Sequence, residues 1–140
     1  MTDTTSETTP DTTPDTTLIA VLVGSLRSDS VNRKLAELLA EQSPEGVTVE
    51  IVDGLGQIPF YNEDIDNPRD IPAAAAELRD RVGRSDRVLA VTPEYNGTMP
   101  AVLNNAIDWL SRPYGAGALV EGPRLEGAQQ PLHPLVVRRA

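Results

Sequence analysis

Three short runs of branched apolar residues, LIAVLV (18–23), VTVEIVD (47–53) and DRVLAVT (86–92), are separated by segments whose apolar residues recur at helical spacing. That alternation is the strongest constraint on the fold. A run that is apolar at nearly every position has no polar face to turn to water, so LIAVLV reads as a strand buried on both sides. SVNRKLAELLAEQS follows it and puts Val31, Leu35, Leu38 and Leu39 on one helical face, with Ser28, Asp29 or Ser30 placed to cap the start. AAAAELRDRV (73–82) reads as a second helix, with Pro72 near its first position and Gly83 just past its end; AVLNNAIDWLS (101–111) reads as a third, opened by Pro100. Strands alternating with helices predict parallel βαβ units in a doubly wound α/β sheet with three layers, α/β/α. Ligands of such sheets sit at the C-terminal ends of the strands.

Composition narrows the chemistry. The chain has 140 residues and a net charge of −9, and Asp3, Glu7, Asp11 and Asp15 all fall in its first seventeen residues. A nucleic-acid binder needs a basic face, so no nucleic-acid partner is expected, although one local basic site remains compatible with this balance. There is no cysteine and His133 is the single histidine, so no metal site, disulfide, thiol nucleophile or Ser-His-Asp triad is expected. No apolar run approaches the roughly 20 residues of a bilayer span, and residues 1–17 lack the pattern of a secretory signal. The expectation is a cytoplasmic protein with no membrane partner.

The chain divides into three parts. Residues 1–17, MTDTTSETTPDTTPDTT, carry no apolar residue after Met1, and such a segment reads as a disordered tail. Residues 18–119 read as the α/β domain. Residues 120–140 contain Pro123, Pro131 and Pro134, and only LVV (135–137) is strongly apolar, so this segment reads as irregular.

Two loops stand out, and both follow strand ends. In the first, GSLRSDSVN (24–32), Gly24 allows a tight turn or a close approach to a ligand, Ser25, Ser30 and Asn32 offer neutral donors, and Arg27 offers a planar fork of N–H groups. The next helix turns its free N–H groups and positive dipole end to the same place, which makes an anion site. The plainer reading of the same residues is a turn, a cap and a solvated arginine. Neither a G-x-x-x-x-G-K-[ST] loop nor a G-x-G-x-x-G fingerprint is present, which disfavours an ATPase or a Rossmann dehydrogenase. The second loop, PEYNGTMP (93–100), is bracketed by prolines.

Together, GSLRSDSVN and TPEYNGTMPAVLNNAIDW (92–109) closely resemble the NAD(P)H-dependent FMN reductase family, which includes quinone, azo-dye and chromate reductases. The resemblance runs from about Leu18 to Leu119 and implies a flavodoxin-like fold. It implies that Ser25, Arg27, Ser30 and Asn32 hold the FMN phosphate. Pro93, Glu94, Tyr95, Asn96 and Gly97 then lie along the flavin ring, with backbone amides toward its polar atoms. The implied activity is hydride transfer from NAD(P)H to bound FMN and on to a quinone, azo compound, chromate or free flavin. No catalytic acid or base is needed, because the cofactor carries the chemistry. The family implies a homodimer or homotetramer. Glu94 also reads as a surface carboxylate and Tyr95 as a half-buried aromatic; Trp109 and Ile107 read as facing the core or a subunit partner, and Phe60 and Tyr61 as packing residues in a region that the family uses near the active site or the dimer contact.

The sequence departs mildly from the family at Thr98, Ala101 and Asn104, where serine, glycine and lysine are frequent. It departs strongly after SRPYGAGAL, where VEGPRLEGAQQPLHPLVVRRA replaces a further strand, a glycine-rich loop, a helix, a fifth strand and a last helix. Strands four and five are therefore expected to be missing or altered, leaving DRVLAVT as a bare edge and the fold weak. Two alternatives to the enzyme are a non-catalytic flavin- or phosphate-binding module and an inactive truncated fragment.

Overall fold

The computed structural model describes residues 16–113, 116–119 and, as backbone, 135–138. All but its last two residues of the Thr/Asp/Pro-rich tail, and most of the segment after Leu119, lie outside the described residues. The elements run in the order β1 (Thr17–Val23), α1 (Val31–Glu41), β2 (Val47–Val52), α2 (Ala73–Gly83), β3 (Arg87–Thr92), α3 (Ala101–Leu110) and β4 (Leu135–Arg138). Single 3-10 turns at Leu55–Gln57 and Glu63–Ile65 interrupt the connection between β2 and α2.

All four strands are parallel, in the order β2-β1-β3-β4. β1 is central, and its residues Ala20, Val21 and Leu22 are no more than 2% exposed, as a run apolar at every position requires. Alternation along β1 and β3 sorts the core into two layers. Ala20, Leu22 and Ala90 pack with Ala75, Leu78 and Val82 of α2 and with Leu103, Ala106 and Trp109 of α3. Val21, Val23 and Val91 pack with Ala36 of α1 on the opposite face. The three-layer flavodoxin-like architecture expected from the sequence is therefore present.

Two expectations need correction. The bare edge on β3 does not occur, because β4 pairs with it from Leu89↔Leu135 to Thr92↔Arg138. Three branched apolar residues straight after Pro134 suffice for a four-residue strand, yet such a run is too short to show periodicity. A fifth strand is absent among the described residues. The apolar face assigned to α1 is also wrong in part. Ala36 is its buried residue and Leu35 is half-buried, whereas Val31, Leu38 and Leu39 are exposed.

The long polar connection after β2 is pinned to the helices by partly buried polar groups. Arg79 of α2 donates through both terminal nitrogens to the Asp66 carboxylate, at 2.6 and 2.8 Å, and through Nε to the Trp109 carbonyl at 2.8 Å. Its guanidinium also lies over the Trp109 ring, 5.4 Å from the centroid. The Arg79 hydrogen bond holds the Asp66 carboxyl below its ordinary value of 3.8, against the opposing effect of burial. Burial first, and then the Asp66 carboxylate, pushes the Tyr61 hydroxyl up.

A carboxyl whose folded pKa is depressed stabilises the fold above its unfolded pKa, and that contribution is lost as pH falls through the folded value. Asp66→Asn should therefore cost about 3 kcal/mol at neutral pH, since it breaks a largely buried pair. Urea unfolding from pH 7 to pH 3 should show the gap between wild type and variant narrowing below about pH 4.

Candidate functional site

The C-terminal ends of β1 and β3 lie side by side, with Val23 opposite Val91. From β1 the chain crosses to β2 on one side, and from β3 it leads to β4 on the other. Right-handed crossovers then send α1 and α3 to opposite faces, so the loops after β1 and β3 diverge from neighbouring strand ends. That is the switch point at which doubly wound sheets bind ligands.

Gly24 holds the two loops together at their bases. Its N–H donates to the Val91 carbonyl at 2.9 Å. A Cβ at this position would lie 2.4 Å from Thr92 Oγ1 and 2.9 Å from Thr92 Cβ, so only glycine fits here. The structure gives Gly24 a reason the sequence did not show: the group packed against it is the side chain that ends β3.

The rest of the first loop combines a helix cap with an exposed cation and open helix-start N–H groups. Ser30 is buried and caps α1, its Oγ accepting from Arg33 N at 3.2 Å. Ser25 Oγ accepts from Arg27 N at 3.5 Å, a weak contact within the same turn. Arg33 is engaged by Asp53 and Glu37, and Lys34 by Asp29. The Lys34 hydrogen bond holds the Asp29 carboxyl low. The Arg27 guanidinium is exposed and has no ion pair among the described residues. Asn32 is half-buried in the first turn of α1, where the N–H groups of Val31 and Asn32 have no intrahelical acceptor.

The second loop is a tight hairpin, which the bracketing prolines concealed. Tyr95 and Thr98 exchange both backbone hydrogen bonds, at 2.9 and 3.1 Å. Between them Asn96 has φ 53° and Gly97 φ 79°, the left-handed pair of a type I′ turn. The Asn-Gly dipeptide is the signal that could have found it. Pro93 is half-buried; Glu94, Tyr95, Asn96 and Gly97 are exposed, and the N–H groups of Glu94, Asn96 and Gly97 have no acceptor among the described residues. The side chains named in the two loops form no hydrogen bond with each other; the Gly24–Thr92 contact is what joins the loops.

A third segment reaches the same edge. Leu26 of the first loop packs over Gly56, where a Cβ would lie 3.0 Å from either Leu26 methyl carbon. Beyond it, Asn105 Nδ2 donates to the carbonyls of Ile58 and Pro59 at 3.2 and 3.0 Å, and Asn105 Oδ1 accepts from Tyr61 N at 2.8 Å. Trp109 Nε1 donates to the Pro59 carbonyl at 2.8 Å. The Tyr61 ring stands edge-on to Trp109, with centroids 5.0 Å apart. Trp109 and Tyr61 thus pack as expected, but Phe60 is 79% exposed. Asn105 escaped the sequence reading. Its signal was an amide one turn before Trp109 on an otherwise apolar helical face, since a buried amide must find partners.

The sequence profile of the NADPH-dependent FMN reductase family matches residues 17–126. The chain belongs to that family. Among relatives of this FMN reductase family member, a quinone reductase of Pseudomonas putida (strain KT2440) is 50% identical over 100 residues, covering 71% of this chain and 53% of the relative. A 2-hydroxy-1,4-benzoquinone reductase of a Burkholderia species is 47% identical over 97 residues, covering 69% and 51%. The structure is similar to FerB, a flavoenzyme NAD(P)H:(acceptor) oxidoreductase from Paracoccus denitrificans, with a TM-score of 0.66 and 42% identity over 74% of this chain and 55% of that one. It is also similar to an azoreductase from Bacillus anthracis, with a TM-score of 0.58 and 25% identity over 87% and 68%. The chain spans about half the length of the curated relatives it matches.

Among the described residues no helix is long and apolar enough to cross a membrane, and no cluster of candidate metal ligands occurs.

The hairpin gives a test of its own. No atom lies within 4 Å of a Cβ placed on Gly97, so Gly97→Ala isolates the backbone cost of a left-handed residue, about 1–2 kcal/mol. Asn96→Gly should change stability by less than about 0.5 kcal/mol in the same urea titration, because it keeps the required conformation open.

Proposed function

We propose that this chain binds FMN in the crevice between the loops after β1 and β3 and serves in NAD(P)H-dependent reduction of small-molecule acceptors, with quinones the leading class. The observation that carries the reading is the placement of two family motifs on adjacent strand ends at the switch point, in contact through Gly24 and Thr92. The residues present suit the cofactor. Arg27 is a cation without an ion pair among the described residues, beside the open N-terminus of α1, and the second loop offers N–H groups without acceptors.

On this reading, Arg27 forks onto phosphate oxygens, Ser25 and Ser30 donate their hydroxyl protons to them, and Asn32 adds an amide donor. Ser30 can cap and donate together, because its oxygen accepts from Arg33 N while its proton stays free. Pro93, Glu94, Tyr95, Asn96 and Gly97 border the ring, their fixed N–H dipoles facing its acceptor atoms. FMN, when bound, supplies the two-electron chemistry between NAD(P)H and the acceptor. Neither a protein acid nor a protein base is assigned. The quinone preference follows the names of the two relatives described above, and azo compounds, chromate and free flavin complete the class. The same reading places the protein in the cytoplasm as a homodimer or homotetramer.

A second reading is a flavin-binding module without turnover, supported by the exposed Arg27 beside the open start of α1 and by the absence of an assigned protein acid or base. The purified chain would be titrated with FMN and then mixed with NADPH under anaerobic conditions. Bleaching of bound flavin supports the reductase, yellow protein without bleaching supports the module, and colourless protein at saturating FMN overturns both. Arg27→Ala combined with Ser25→Ala should weaken FMN binding roughly ten- to hundred-fold, the loss of about 1.5–3 kcal/mol expected for a charge-assisted contact. Unchanged affinity in that double variant would remove the phosphate assignment.

A further inference from the structure

Thr92 is the last residue of β3 and is 3% exposed. It belongs to neither set of residues assigned to the cofactor, yet it touches the base of both loops. On one side it fills the space where a side chain at position 24 would stand. On the other, its Oγ1 donates to the Pro93 carbonyl at 2.9 Å. A peptide unit is planar and trans, so fixing the Pro93 carbonyl on one side fixes the Glu94 N–H on the other. That N–H has no acceptor among the described residues. The first peptide of the second loop is thus held with its donor turned away from the Thr92 side chain and free for an external acceptor.

We propose that Thr92 is a positioning residue for the cofactor: its hydroxyl fixes the Pro93–Glu94 peptide so that the Glu94 N–H is presented to an acceptor atom of the flavin ring, and its contact with Gly24 sets the gap between the ring loop and the phosphate loop. This rests on the FMN reading given above. It assigns separate roles to the two parts of one side chain. The hydroxyl orients a donor, while the branched carbon frame keeps the strand ends in register.

The two roles separate by substitution. Thr92→Val keeps the branched shape and removes the hydroxyl, whereas Thr92→Ser keeps the hydroxyl. FMN would be titrated into the full chain by quenching of flavin fluorescence, with Arg27→Ala as a parallel variant and a thermal melt of each protein. Thr92→Val should weaken FMN binding about tenfold and shift the visible absorption band of the bound flavin, while Thr92→Ser stays within about twofold of wild type. Wild-type affinity and spectrum in Thr92→Val, with Arg27→Ala weakened, would overturn the role of Thr92 and leave the FMN reading standing. Failure of the wild-type chain to bind FMN would overturn both. If Thr92→Val loses its cooperative melt, Thr92→Ala removes the same hydroxyl without refilling the site and is compared with Thr92→Ser in the same way.

Discussion

The close approach of β1 to β3 at their C-terminal ends governs the rest of the molecule. Two parallel neighbours must each send their chain onward from the same edge, and right-handed crossovers send the two chains to opposite faces. A crevice follows from that geometry without any special sequence. What the sequence adds is its width. With hydrogen as the side chain at position 24, the Thr92 side chain can settle against the β1 backbone, and the loops start from a fixed separation. A site built in this way draws its two halves from the ends of paired strands.

A second set of constraints ties the β2–α2 connection across this edge. Asn105 and Trp109 point from α3 into a stretch of backbone that has no regular structure to satisfy its own polar groups. The side-chain donors take the place of a ladder. Arg79 and Asp66 finish the job from α2, with Trp109 shared between the two sets of contacts. The connection is therefore irregular in shape but fixed in place, and it carries Phe60 outward between two pinned neighbours.

Much of this was legible from residue order. LIAVLV, VTVEIVD and DRVLAVT announce strands because nothing else buries such runs, and the three helices announce themselves by period, with a capping serine before α1 and prolines before α2 and α3. The unread parts have physical reasons. Periodicity says that α1 is amphipathic but not which arc meets the sheet; small Ala36 permits the closest approach, so Leu38 and Leu39 are left outside. The hairpin at Asn96 and Gly97 was hidden because flanking prolines read as loop punctuation. β4 was hidden because three apolar residues have no period. Of the site, the two loops and their order were readable, but the contact between them was not. Gly24 invites a reading as a turn or a ligand contact, and nothing in a linear sequence shows that Thr92, sixty-eight residues on, occupies the space it leaves.

The two faces of the sheet are covered unequally. α2 and α3 close one side around Trp109. On the other, α1 is the helix that packs among the described residues, and Ile19, Val49, Ile51 and Leu89 are only partly buried beside it. Local opening costs least where little apolar area is re-exposed. Amide protons of β2, an outer strand lying under that thin cover, should trade with solvent sooner than those of β1. Breathing of the molecule is then one-sided, with the helix that follows the first loop resting on the softer side.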